Sequence, residues 1–142
     1  MSTQMDLLDR LRARDDWRVT AQRRVVAEVL KGDHVHLTAD AVYDRARRRL
    51  PEISLATVYN TLNELVSMGE IMEIAVGDGP KRYDPNVDKR HHHLRCVKCN
   101  ELLDVVPDGE DHLRLRGGQK HGYDVIDVDV VFKGVCPACQ TK

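Results

Sequence analysis

Cys96-x-x-Cys99 and Cys136-x-x-Cys139 account for all four cysteines of the chain, and both pairs lie in its last third. Four thiolates are the number that a closed tetrahedral zinc site needs, with each pair gripping one edge of the tetrahedron. Closing the long segment between the pairs costs chain entropy, which zinc binding offsets several times over. The separation exceeds that of a typical zinc ribbon, so the arrangement is not a simple finger. The same pairs also suit a thiol redox switch, but in a cytoplasmic chain the pattern points to structural Zn2+ before a disulfide.

A second constellation is built of nitrogen and oxygen donors. His91-His92-His93 follows His34 and His36, with Asp84 and Asp104 as carboxylates in reach. If residues 91–96 are extended, alternate side chains point to opposite faces, so His91 and His93 converge while His92 points away. Mixed imidazole and carboxylate donors suit exchangeable ions such as iron, manganese, zinc or nickel, and not a thiolate-caged structural ion. Read alone, a triple histidine is equally at home as a solvated hinge. Neither constellation reads as an enzyme: four cysteines leave zinc no open position, and the histidine cluster has no His-Glu-x-x-His arrangement.

The elements that must position these groups fall in two halves. At 142 residues the chain has room for one ordinary domain or two small ones. With 32% charged and 42% hydrophobic residues it has the profile of a soluble globular protein. No stretch spans a bilayer. Met1 to Arg14 mixes charges with leucines and lacks the apolar core of a signal peptide, so a cytoplasmic location is expected. A net charge of −1 gives no sign of a nucleic-acid partner, and the run Arg45, Arg47, Arg48, Arg49 reads first as the solvated face of a helix.

Residues 1 to about 70 read as helical. Thr20, Thr38 and Ser54 are natural N-caps; Val25, Val26, Val29 and Leu30, then Ala39, Val42, Tyr43, Ala46 and Leu50, then Leu55, Val58, Leu62, Leu65 and Val66 recur at helical spacing behind them. Pro51 stops the second helix and Gly69 ends the third. The polar face of the third carries Thr57, Tyr59, Asn60, Thr61, Asn63 and Glu64, few of which are the usual residues of a merely solvated surface. Residues 71–76 and 81–84 flank Gly77-Asp78-Gly79-Pro80 as a β-hairpin. Three helices and a hairpin make a winged helix-turn-helix, a pattern that other small α+β folds share. Residues 85–90 form a polar hinge. Beyond it, residues 102–106 read as a short strand, 107–122 as a short helix and loop, and 125–135 as a half-buried strand in which Ile126, Val128, Val130 and Phe132 alternate with Asp127, Asp129 and Val131.

Arg18-Val19-Thr20-Ala21-Gln22-Arg23, Ser54-Leu55-Ala56-Thr57-Val58-Tyr59-Asn60-Thr61-Leu62, His91-His92-His93-Leu94-Arg95-Cys96-Val97-Lys98-Cys99 and Cys136-Pro137-Ala138-Cys139 together resemble the ferric uptake regulator (Fur) family in order and spacing. The resemblance covers nearly the whole chain. It implies an α+β fold: a winged-helix DNA-binding domain over 1–84, a hinge over 85–90, and a small α/β dimerisation and metal-binding domain over 91–142. It implies that Cys96, Cys99, Cys136 and Cys139 hold structural Zn2+, and that His36, Asp84, His91, His93 and Asp104 hold a regulatory Fe2+ or Mn2+. It makes Tyr59 a contact to DNA and Arg23 a contact to the phosphate backbone, and Ser54, Thr57 and Asn60 complete the DNA-facing set.

Asp104, five residues after Cys99, stands where iron-uptake regulators generally carry glutamate; Asp104 and Asn60 both resemble the peroxide-sensing (PerR-type) branch. The expected function is therefore a homodimeric, metal-dependent repressor of an inverted-repeat operator on double-stranded DNA, responsive to peroxide through oxidation of histidine ligands. The alternative within the family is a metal-homeostasis regulator without peroxide sensing. A metal-storage module, a rival of another class, would need no recognition helix, and the segment from Ser54 to Gly69 argues against it.

Overall fold

Side-chain oxygens start the helices of the N-terminal half. In the computed structural model, which describes residues 6–31, 36–75, 77, 79–87, 91–109 and 112–141, Thr20 Oγ1 accepts from the Arg23 N–H at 3.2 Å, Thr38 Oγ1 from Ala41 at 3.1 Å and Ser54 Oγ from Thr57 at 3.1 Å. Each satisfies a backbone donor that has no partner within its helix. The helices behind these caps are α2 (Ala21–Val29), α3 (Ala39–Arg49) and α4 (Leu55–Ser67), preceded by α1 (Leu7–Arg12), which Asp6 caps.

The chain divides into two compact units, Met1–Lys89 and Arg90–Lys142. In the first, Leu11 of α1, Val26 of α2, Val42 of α3 and Val58, Leu62 and Leu65 of α4 have no exposed surface and belong to one core. Burying such a side chain contributes about 1.5–3 kcal/mol each. Thr61, expected on the polar face of α4, is buried beside this stripe. At its C-terminus α4 closes tightly: Gly69, at φ 76°, donates to the Val66 carbonyl, and Glu70 donates to the Leu65 carbonyl. That pair of bonds is the Schellman arrangement, and it fixes the direction in which the chain leaves the helix.

The wing follows. β2 (Met72–Ile74) pairs antiparallel with β3 (Arg82–Asp84), and the far edge of β3 takes a two-residue strand, β1 (Leu37–Thr38), giving the order β1-β3-β2. Leu37 lies opposite Tyr83 and Thr38 opposite Arg82. The same register, continued by one residue, sets His36 across from Asp84.

In the second unit β4 (His92–Cys96) is the central strand of a sheet ordered β5-β4-β6. β5 (Leu102–Val105) pairs with it antiparallel and β6 (Val131–Gly134) parallel, and α5 (Pro137–Gln140) follows β6. The strand expected over 125–135 is thus realised only from Val131 to Gly134. Ile126 is 93% exposed and Phe132 44% exposed, because the alternation supplies one apolar face that the described residues leave largely uncovered. No α-helix occurs among the described residues of 107–122, where His112 alone is in a 3-10 turn, its N–H donating to the Gly109 carbonyl at 3.0 Å; Gly117-Gly118, with Gly118 at φ 84°, forms a turn. No helix among the described residues is long and apolar enough to cross a membrane.

Candidate functional site

The parallel pairing of β4 with β6 brings the two cysteine pairs together. Cys96 ends β4 opposite Gly134 of β6, and the Val97 N–H donates to the Gly134 carbonyl at 2.9 Å. Cys99 sits in the turn that reverses into β5, where Asn100 takes φ 64°. Cys136 and Cys139 occupy the N-cap and third residue of α5. All four sulfurs lie within 4.8 Å of one another, and Cys99 Sγ is 3.7 Å from Cys136 Sγ. Four sulfurs each about 2.3 Å from one zinc ion stand roughly 3.8 Å apart at tetrahedral angles, so the thiolate set fits the ion.

The backbone around these thiols prepares them unequally. The Cys136 N–H, 3.3 Å from Cys96 Sγ, and that of Cys99 lower the Cys96 thiol to about 6. The neighbouring Cys136 thiol, followed by burial, pushes Cys139 up to about 12.

The histidine and aspartate candidates form two sets, one in each unit. In the first, His36 Nε2 lies 3.3 Å from Asp84 Oδ2, both side chains are buried, and Asp84 Oδ1 accepts from the Asn86 N–H at 2.8 Å. In the second, the β4–β5 register places His93 opposite Asp104. Asp104 Oδ1 is 3.2 Å from His93 Nε2 and 3.5 Å from His91 Nε2, and the two rings meet edge-on with centroids 5.0 Å apart. His92 points the other way, and its Nδ1 accepts from the Val130 N–H at 2.9 Å. The pleat therefore separates His91 and His93 from His92, as an extended segment requires. Imidazole nitrogens and carboxylate oxygens at these spacings fit the donor chemistry of a divalent first-row ion. His34 lies outside the described residues.

On α4 the polar face presents Tyr59, 42% exposed, with exposed Asn60 and Asn63 and half-buried Thr57. Ser54 is occupied as the cap, its hydroxyl also donating to Thr57 Oγ1 at 2.9 Å. Arg23 is engaged within the unit: its Nη1 donates to the Arg18 carbonyl at 2.8 Å, its Nη2 pairs with the Glu64 carboxylate at 3.0 Å, and its guanidinium lies 4.7 Å from the Trp17 ring centroid. Trp17 Nε1 donates to the same carboxylate. Arg45 to Arg49 include Arg47 paired with Asp44 and Arg49 paired with Glu28, both arginine side chains more than half exposed, in keeping with a solvated helix face.

Residues 14–133 match the model of the ferric uptake regulator family. This chain belongs to that family. Its members are metal-responsive transcriptional regulators and not enzymes. The ferric uptake regulation protein of Synechococcus elongatus is 34% identical over 127 residues, spanning 87% of this chain and 86% of that protein. The peroxide-responsive repressor PerR of Staphylococcus aureus is 31% identical over 125 residues, spanning 88% and 84%. The iron-bound ferric uptake regulator of Francisella tularensis superposes with a TM-score of 0.76 at 26% identity, covering 89% of this chain and 97% of that one.

Two contributors to this Fur-family site escaped sequence reasoning. β1 is too short to show a period, yet its pairing is what sets His36 against Asp84. Glu64 read as one more polar residue of α4, and only the fold reveals that it receives both Arg23 and Trp17.

Proposed function

We propose that this chain is a homodimeric repressor whose hold on an inverted-repeat operator depends on an exchangeable ion, and that peroxide releases it. The observation that carries the reading is the paired donor sets: His36 with Asp84, and His91 and His93 on Asp104, each arranged for a divalent ion within its own unit. Binding of the regulatory ion by these residues would supply the differential affinity between DNA-competent and open conformations that a switch needs. The Cys96, Cys99, Cys136 and Cys139 set holds Zn2+ and keeps the second unit folded. Exposed Leu103, Tyr123, Ile126 and Phe132 of that unit supply the apolar surface that a second copy would cover.

Tyr59, Asn60 and Thr57 face the DNA from α4, and Ser54 holds the start of that helix. Arg23 contributes mainly by bracing α4 through Glu64, which differs from the phosphate contact that the family resemblance implies.

The peroxide response follows from the same histidines. When bound there, Fe2+ would activate hydrogen peroxide by lending an electron that it regains, so that the imidazole is what is oxidised overall, and Mn2+ would do so far less readily. His36 or His91 then gains one peroxide oxygen on a ring carbon while the other leaves as water. An oxidised imidazole is a poorer ligand, so the donor set loosens. Thiolates locked on zinc react more slowly than these histidines.

Mass spectrometry of the iron-loaded chain after mild peroxide tests the reading, with one added oxygen expected on the peptides bearing His36 or His91 and loss of operator binding alongside. The similarity to a ferric uptake regulation protein favours a second reading, metal sensing without peroxide sensing. Unmodified histidines with oxidised cysteines, or no loss of DNA binding, would return the chain to that second reading.

A further inference from the structure

Arg10 joins two parts of the N-terminal unit that the proposed function keeps apart. Its Nε donates to Glu70 Oε2 at 3.0 Å, and its Nη2 donates to the Glu70 carbonyl at 3.1 Å and to the Pro85 carbonyl at 3.2 Å. Arg14, one turn along the chain, takes the remaining carboxylate oxygen of Glu70 at 3.0 Å. The clamp is largely out of solvent, with the Arg10 and Glu70 side chains 18% and 13% exposed.

Both ends of this clamp are fixed by backbone. Glu70 is tied to the end of α4 by its own N–H on the Leu65 carbonyl, so it moves with the helix that carries Tyr59. Pro85 directly follows Asp84, whose two oxygens face His36 Nε2 and the Asn86 N–H. A guanidinium is a planar fork, so its bonds cannot reorient independently; displacing the Pro85 carbonyl turns the donors held on Glu70. The wing adds a second link, since Met72, two residues after Glu70, pairs with Asp84.

We infer that Arg10 is a positioning residue that couples the metal-binding state of Asp84 to the pose of α4. This rests on the reading of Asp84 as a ligand of the regulatory ion. α1, which contributes no expected ligand or DNA contact, then has a role beyond packing Leu7 and Leu11 into the core. Coupling between two sites is reciprocal, so the factor by which the ion tightens DNA binding equals the factor by which DNA tightens ion binding.

The test uses the full zinc-loaded chain, Mn2+ as the probe ion and a duplex selected from random DNA by the manganese-loaded wild type. Operator affinity is measured with and without Mn2+, and Mn2+ affinity with and without duplex, for the wild type, Arg10→Gln and Arg10→Lys. A wild-type coupling between about 5-fold and 150-fold is expected. Arg10→Gln should cut both reciprocal factors by at least about fivefold while metal-free operator binding stays within about twofold. Arg10→Lys, which keeps the charge but not the fork, should lose most of the coupling too, and it carries the test if Arg10→Gln fails to fold. Coupling factors within about twofold of wild type, or equal weakening of DNA binding with and without Mn2+, would overturn the proposal by reducing Arg10 to a brace. Wild-type DNA binding indifferent to Mn2+ would overturn the metal reading and the coupling together, and is recognisable because it needs no substitution.

Discussion

His93 Nε2 stands 3.2 Å from Asp104 Oδ1 across the β4–β5 pairing. The antiparallel register makes this approach a property of the sheet, so the carboxylate is presented by rigid strand and not by loop. Asp104→Asn keeps the shape and removes the charge. It should lower Mn2+ affinity at least about tenfold while zinc content stays unchanged, as titration calorimetry with elemental analysis would report. Asp104→Glu should keep metal-dependent DNA binding but blunt the loss of binding on peroxide treatment, since a longer carboxylate alters the coordination. Unaltered Mn2+ affinity in the asparagine variant would remove Asp104 from the ligand set.

The thiolate cluster makes a separable prediction. Because a zinc site of four thiolates contributes its binding energy to folding, Cys139→Ser should lose zinc and expose the β4, β5 and β6 amides to fast hydrogen exchange. The α2–α4 amides, protected by a core in their own unit, should stay slow. Loss of protection in α2–α4 equal to that in β4–β6 would contradict the division of stability between the units.

Zinc binding should also depend on pH in a stated direction. With Cys96 lowered to about 6 and Cys139 raised to about 12, at pH 7 the first thiol is mostly ionised and the second still carries its proton. Zinc must displace at least that proton, so its affinity should rise at least about tenfold per pH unit between pH 7 and 9. Competition with a chromogenic chelator measures this, and a flat profile would mean that the thiols are already ionised.

Much of this arrangement is legible in the sequence because its signals are local. Thr20, Thr38 and Ser54 announce helices by capping chemistry that needs only three residues, and the His91/His93 alternation follows from the pleat alone. The parts that were not legible depend on distant pairing. β1 has no period to detect, and Arg23 looks free until Glu64 and Trp17 arrive from elsewhere in the fold. The apolar alternation of residues 125–135 misled for the opposite reason: Ile126 and Phe132 are patterned for a covered face, yet they are exposed in a single chain.

The proposed recognition helix α4 gives a paired prediction. Tyr59→Ala should weaken specific operator binding by about 1–3 kcal/mol with both metal sites still occupied. Arg23→Ala should weaken binding without changing its salt dependence, because a brace neutralises no phosphate, whereas a phosphate contact would lower the salt slope by about one. Affinity measured from low to moderate salt separates the two roles.

The most direct measurement is the anisotropy of a labelled operator titrated with zinc-loaded chain, first with the regulatory ion removed and then with Mn2+ restored. The account predicts that Mn2+ tightens binding at least about fivefold and that His36→Ala and His93→Ala each abolish the gain while keeping zinc. Equal affinity with and without Mn2+, or a gain that survives both substitutions, would contradict it.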